Sequence, residues 1–523
     1  MTKSIAATLK TAKSKSKKAP PHLMISARAG TGKTTTLIEG LKVMKGLPTA
    51  FTPSEQQAAI WESLALSKDA RTVCFVAFNK SIATELASRI PAGCEAMTMH
   101  SMGFKAVNRA LPGLRVNEHR VTDLIAKELG RDIYDLRKEK PTLLAATKKL
   151  VGLVKMNLAE TTIESLTELA SHYDVEMEGC RGEVFDLVPK IVERCRDPLA
   201  DGCLDFDDMV WLPVALDLPM FRYDLLLIDE AQDLNRCQQA IAKKCGTRLV
   251  FCGDERQAIY GFAGADSESM TRLAKELKAN VLPLTVTRRC GKAIVEEAKR
   301  YVPDFSAFAT NPEGVVRTTL YPIQPGAAYK EKVDIGVDKS YLAEVRDGDF
   351  VVCRSNAPLV NQCFKMIRMG KKATIQGRDV GQGLISLVKK LDARTVPELV
   401  TKLNQWTARE MDKEQAKKNP SETRIQGIED KSECLMAFVD NATSVDGVVR
   451  KIEELFTDRK DQPGVRLSSI HKAKGLESQR VYFLRPAVQP VNQRQQKAWV
   501  TDQEANLVYV AITRAISELV MVY

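Results

Sequence analysis

Four short apolar runs, each breaking off at polar or charged residues, constrain this chain more than any other feature. They are HLMISA (22–27), TVCFVAF (72–78), YDLLLIDE (223–230) and RLVFCGD (248–254). Runs without polar alternation suit strands buried on both faces, and helical patterns lie between them, so a parallel sheet is expected. Ligands of such sheets gather at the carboxyl ends of the strands, where these polar residues fall. DFVVCRS (349–355), GVRLSSIH (464–471), RVYFLRP (480–486) and ELVMVY (518–523) form a second such set. At 523 residues the chain is too long for one ordinary core. The expected fold class is α/β, with two parallel-sheet domains, each interrupted by a mainly helical insertion.

The first run leads into ISARAGTGKTTTLIEGL (25–41), close to the phosphate loop G-x-x-x-x-G-K-[ST] but with Ala27 in place of the first glycine. Gly30 and Gly32 let backbone N–H groups converge on an anion at a helix N-terminus, with Ala29, Thr31 and Thr35 in the same cradle. Lys33 can reach the outer phosphates and the Thr34 hydroxyl can ligate magnesium. Ala27 has a side chain small enough for close approach. Downstream, LLLIDEAQD places Asp229 and Glu230 at a strand end. Carboxylates there are often only solvated loop residues. With a phosphate loop upstream, Asp229 is expected to hold the metal and Glu230 to orient or deprotonate the attacking water.

With these elements in hand, the chain resembles the UvrD/PcrA/Rep group of superfamily 1 DNA helicases. GDERQAIYGFAGAD (253–266), LTVTRRC (284–290), SIHKAKGLE (469–477) and LVYVAITRA (507–515) are similar to four of its motifs, in its order. VAFNKSIATEL (76–86) and TMHS (98–101) fit its two short DNA-side motifs, and DFDDM (205–209) fits a segment ahead of the acidic strand. The resemblance implies two RecA-like domains and ATP with Mg2+ as cofactors. It implies that Gln257 senses the γ-phosphate and that Arg289 and Arg514 stabilise transition-state charge on it. Gly475 and Glu477 would approach the nucleotide. Phe78, Tyr260 and Phe262 match positions that stack on or wedge bases, while Asn79, Lys80, Thr98, His100, Ser101 and His471 are candidate phosphate or sugar contacts. His100 and His471 read equally well as satisfied structural histidines.

Three departures stand out. Arg288 occupies the place of the tyrosine that usually stacks on adenine; a guanidinium can also stack on a flat base. No glutamine precedes the loop. The similar FTPSEQQAAI (51–60) follows it, and reads either as Gln56 or Gln57 folding back or as a capped helix starting near Ser54. GLES replaces the usual G-L-E-F.

The expected layout is a basic disordered arm at 1–21, a first RecA-like domain at 22–108 and 205–285 with a helical insertion at 109–204, and a second at 286–383 and 461–523 with a helical accessory insertion at 384–460. Net charge is +11, and six lysines without an acid lie in the first 18 residues. Such an arm is either solvated or in weak contact with nucleic acid. Twelve cysteines without a C-x-x-C pair argue against a zinc ribbon. No apolar run approaches bilayer-spanning length, so no membrane partner is expected, and the cytoplasm of a bacterium or phage-infected host is the expected location. The resemblance implies an ATP-dependent 3′–5′ DNA helicase translocating on single-stranded DNA and acting at single/double-strand junctions, with room for a loading or accessory protein. A single-strand translocase that displaces proteins, or a partner-dependent ATPase switch, are the alternatives.

Overall fold

A computed structural model of the chain describes residues 20–259, 269–319, 341–416, 420, 422–440, 442–457, 463–484 and 498–523. Tyr260, Phe262 and the lysine-rich arm up to residue 19 lie outside the described residues. The chain divides into two compact units. One comprises Met1–Ser26, Lys33–Gly253 and Glu268–Leu284; the other comprises Ala27–Gly32, Asp254–Ser267 and Thr285–Tyr523.

The sheet of the first unit runs in the order Cys94–Thr98, Val73–Ala77, Tyr223–Ile228, Gly246–Gly253, Leu23–Ala27, Asn280–Leu284. The pairings among its first five strands are parallel. Val73–Ala77 is buried at every position and Leu225 to Ile228 have no exposure, which is why their sequences are unbroken apolar runs. Behind the first strand, helix Lys33–Met44 packs against helix Glu55–Ala65: Trp61 Nε1 donates to Thr36 O and Gln57 Nε2 donates to Thr36 Oγ1, each at 2.9 Å. Ser54 and Gln57 close a capping box, so FTPSEQQAAI is a capped helix. Arg248, 2% exposed, fastens this corner by donating to Pro21 O, Ser63 O and Ser67 Oγ.

Helices Met99–Ala110, Arg120–Leu129, Pro141–Asn157, Arg181–Arg196 and Phe206–Ala215 share one apolar core with this sheet. Within it sits a buried charge network. Arg120 Nη1 donates to Asp208 Oδ2 at 2.6 Å and its Nε donates to Asp201 Oδ2 at 2.9 Å. Lys155 Nζ lies 2.9 Å from Asp205 Oδ2 and 2.7 Å from Asp208 Oδ1. Arg120 and Lys155 are both 1% exposed, an arrangement tolerable only because each cation is paired. Asp205 and Asp208 also form the capping box of helix Phe206–Ala215, so DFDDM is a packing device as well as a motif.

The second unit carries a seven-stranded sheet in the order Val315–Thr319, Ala515–Val522, Ser478–Leu484, Phe350–Cys353, Val465–Ser469, Ala373–Gln376, Phe456–Thr457. All six pairings are parallel. Helices Val396–Gln415, Glu422–Val439 and Val445–Leu455 pack into its core through Leu399, Leu403, Leu435, Phe438 and Ile452. Asp430 on the second of them accepts from the backbone N–H groups of Asn356 and Ala357, capping helix Ala357–Arg368. The fold is therefore α/β with two parallel-sheet units, and in each the predicted apolar runs form strands.

Candidate functional site

In the glycine loop, positive φ falls on Gly30 (65°) and Gly32 (78°), the two glycines the sequence retains, and not on Ala27. Ala27 ends its strand with no exposure. A residue that needs neither left-handed backbone nor an open Cβ position need not be glycine. Ala27 thus meets no backbone demand that only glycine could satisfy.

Lys33 and Thr34 open helix Lys33–Met44, and both face the end of strand Tyr223–Ile228. Thr34 Oγ1 donates to Asp229 Oδ2 at 2.5 Å, and Lys33 Nζ lies 3.5 Å from Glu230 Oε1. Gln232 Nε2 donates to Glu230 Oε2 at 2.6 Å. Glu230 adopts a left-handed conformation (φ 51°, ψ 41°). Burial first, then the charge of Glu230, pushes the Asp229 carboxyl up to about 6, against the pull of Lys33 and the Thr34 bond. A buried carboxylate and a hydroxyl in contact are hard oxygen donors, and a carboxylate disfavoured as a bare anion gains from a cation, so the pair fits magnesium.

In the second unit, Tyr509 links Ala29 to Asp254. Ala29 N–H donates to the Tyr509 hydroxyl at 2.9 Å, and that hydroxyl donates to Asp254 Oδ2 at 3.3 Å. Gln257 Nε2 donates to the same Asp254 oxygen at 2.7 Å, and Lys474 Nζ donates to Gln257 O at 2.9 Å. Arg289 pairs with Glu477 and its Nη1 donates to Thr513 O. Arg514 is 1% exposed; its Nε donates to Val510 O and its Nη1 to Leu476 O, and burial lowers its pKa to about 10. Gly475, at φ 84°, lies in the same segment. Arg288 N–H donates to Gly30 O at 3.0 Å. Its guanidinium carbon sits 3.8 Å from the centroid of the Phe308 ring.

The candidate DNA contacts of the first unit stand on adjacent strands. Val73–Ala77 leads into Phe78, Asn79 and Lys80; Cys94–Thr98 leads into His100 and Ser101; Ala77 pairs with Thr98 in register. Asn79 caps helix Lys80–Arg89 through Ile82 N–H, and Thr98 caps helix Met99–Ala110 through Ser101 N–H. Two helix N-termini thus open at the same edge, beside a Phe78 ring that is 55% exposed. Burial lowers the His100 pKa. His471, on short helix Ile470–Ala473 of the second unit, is lowered to about 4 by burial and by the Arg354 charge, so it is neutral near pH 7.

Sequence reasoning passed over Tyr509 and Asp254, although both lie inside quoted motifs. It also passed over Phe206, 54% exposed at the start of its helix and flanked by carboxylates, a setting no core requires. Phe308 had no sequence signal, because its place against Arg288 depends on strand pairing.

A family model for the UvrD/REP helicase N-terminal domain matches residues 10–278, and one for the UvrD-like helicase C-terminal domain matches residues 266–523. The ATP-dependent DNA helicase PcrA of Bacillus subtilis (strain 168) is 24% identical over 310 residues, covering 54% of this chain and 38% of that protein. DNA helicase II of Rickettsia typhi is 25% identical over 317 residues, covering 56% and 44%. F-box DNA helicase protein 1 of Schizosaccharomyces pombe is 22% identical over 540 residues, covering 95% and 55%. The chain therefore spans about half, or less, of the length of these curated relatives. Among the described residues, no helix is long and apolar enough to cross a membrane.

Proposed function

The chain belongs to the UvrD/REP helicase family, and from that premise we propose that it is an ATP-dependent DNA helicase moving 3′ to 5′ along single-stranded DNA. The observation that carries the reading is the constellation of Lys33, Thr34, Asp229 and Glu230 at the mouth of one parallel sheet. Lys33 and the loop amides bind the triphosphate. Asp229 and Thr34 would hold magnesium, which supplies charge neutralisation at the phosphates when bound. Glu230, kept beside Lys33 and Gln232, orients the attacking water and takes its proton. Gln257, Arg289 and Arg514 answer to the γ-phosphate, the first sensing it and the two guanidiniums stabilising transition-state charge.

On the DNA side, exposed Phe78 offers a face for base stacking, and the capped helix ends after it and after Thr98 offer backbone dipoles to phosphates. Neither contact reads sequence. Single strands and single/double-strand junctions are the proposed substrates, with a loading or accessory protein as a proposed partner. Steady-state ATP hydrolysis with and without single-stranded DNA tests the reading, with Lys33→Ala as control. Stimulation by DNA that vanishes in the variant supports it; strand displacement on tailed duplexes of both polarities then fixes direction. Equal rates with and without DNA sink it.

A further inference from the structure

The phosphate-loop pattern leaves position 28 open, so Arg28 answers to no demand of the motif. Its guanidinium is nonetheless engaged at all three nitrogens. Nε donates to Asp304 Oδ1 at 2.9 Å and Nη2 to Asp304 Oδ2 at 2.8 Å, a two-pronged pair across 276 residues of chain. Nη1 donates to Ala27 O at 2.8 Å and lies 3.7 Å from Asp254 Oδ1. Asp304, itself exposed, stands on a fixed segment: Val302 and Phe305 around it are buried, and Phe305 N–H donates to Val302 O. The Phe305 ring meets that of Tyr509 edge-on, with 5.7 Å between centroids. Tyr509 in turn accepts the N–H of Ala29. Two successive loop residues, Arg28 through its side chain and Ala29 through its backbone, are thus held by one wall. Ala27–Gly32, Asp254, Asp304 and Tyr509 all belong to the second compact unit.

We propose that Arg28 is a positioning residue: its pairing with Asp304 straps the glycine loop into its nucleotide-receiving shape before a triphosphate arrives. The proposal rests on the reading of the loop as a triphosphate site, and adds a residue that reading does not contain. Receiving an anion needs the loop amides to converge, with φ at 65° for Gly30 and 78° for Gly32. Glycines adopt such angles at little cost and leave them as readily, so the loop loses conformational freedom on binding unless it is held beforehand. A bidentate arginine–carboxylate pair supplies that hold with a fixed geometry, which a lysine does not. The other use of a loop arginine is to grip phosphate directly. Here the guanidinium nitrogens are turned to Asp304, Asp254 and Ala27 O, so the charge is spent on carboxylates rather than offered to the ligand. Asp254 also accepts from Gln257 Nε2 at 2.7 Å, so the same guanidinium helps neutralise the buried carboxylate on which that residue rests.

The test is ATP hydrolysis, with single-stranded DNA present, by the full chain and by Arg28→Ala, Arg28→Lys, Asp304→Ala, the double variant Arg28→Ala/Asp304→Ala, and Lys33→Ala. The inhibition constant of inorganic tripolyphosphate is measured alongside. Arg28→Ala is expected to raise the KM for ATP and the tripolyphosphate constant together by about tenfold, with kcat within about twofold. Asp304→Ala is expected to raise both by about threefold, since its carboxylate is 51% exposed and contributes less. Arg28→Lys, with the charge but not the fork, falls between wild type and Arg28→Ala. The double variant is no worse than Arg28→Ala, because both changes undo one contact. An unchanged or lowered KM in Asp304→Ala overturns the strap, because Arg28 freed from its carboxylate would then be gripping phosphate. That change, at an exposed side chain, reads the strap even if Arg28→Ala fails to fold. Effects that multiply in the double variant overturn it as well, as does a fall in kcat with KM unchanged. Hydrolysis that survives Lys33→Ala overturns the underlying site instead, so the two failures are distinguishable.

Discussion

The Tyr509 hydroxyl donates to Asp254 Oδ2 at 3.3 Å while accepting the Ala29 N–H at 2.9 Å, joining the glycine loop to the segment that holds Gln257. Tyr509 has no exposure, and burial pushes its pKa far up, so the hydroxyl stays protonated as a donor. Tyr509→Phe keeps the ring and removes the bridge, leaving a buried N–H and a buried carboxylate each short of a partner. Stability is expected to fall by about 1–2 kcal/mol, and ATP hydrolysis by about fivefold or more, if the bridge sets the loop. Thermal unfolding and steady-state ATPase assays check this; wild-type values for both would remove the bridge from the account.

Asp208 neutralises two buried cations at once, Arg120 at 2.6 Å and Lys155 at 2.7 Å. Asp208→Ala leaves both without that partner and is expected to cost about 3–5 kcal/mol. Chemical denaturation reads it. A loss below about 1 kcal/mol, the usual worth of an exposed pair, would show the network to be wetter than its burial implies.

Asp207 supplies a pH-dependent contrast. Burial first, and then the Asp205 charge, raises its pKa from 3.8 to about 6 in the folded chain. The folded state thus holds this proton more firmly than the unfolded one. Asp207 costs nothing below the unfolded value, and stability falls as pH rises through the window from there to about 6. Asp207→Asn is therefore expected to raise the melting temperature at pH 8 by about 2–4 °C, with little effect at pH 4. An equal gain at both pH values would contradict the burial argument.

Phe78 can be removed without touching a core, being 55% exposed. Phe78→Ala is expected to weaken binding of a short single-stranded oligonucleotide by about 5- to 100-fold, the worth of one stacked base, and to leave thermal stability unchanged. Fluorescence anisotropy with a labelled strand measures the first and calorimetry the second. Unaltered affinity would take Phe78 out of the DNA path.

The eight apolar runs that could be read directly are strands buried on both faces, where burial dictates composition. Five other strands of the two large sheets went unread. Cys94–Thr98 is half-exposed, Asn280–Leu284 contains Pro283, Val315–Thr319 lies at a sheet edge, and Ala373–Gln376 and Phe456–Thr457 span only 4 and 2 residues. Edge strands lack the two-sided burial that writes itself into sequence, and polar Thr374 and Gln376 break the apolar run of the interior strand Ala373–Gln376. The loop and the acidic strand end were legible because their chemistry needs particular residue types at fixed spacing. The Tyr509 bridge, the Arg120–Lys155 network and the Phe308 layer depend on residues far apart in the chain, and only pairing and packing bring them together.

Glu230 occupies a backbone conformation, φ 51°, that glycine would adopt more cheaply. Glu230→Gly should therefore yield a chain that is as stable as the parent or more so, by up to about 1 kcal/mol, yet catalytically silent. On the role proposed for Glu230, the strand end is a point of trade-off between activity and robustness, where selection for durability alone would erase the carboxylate.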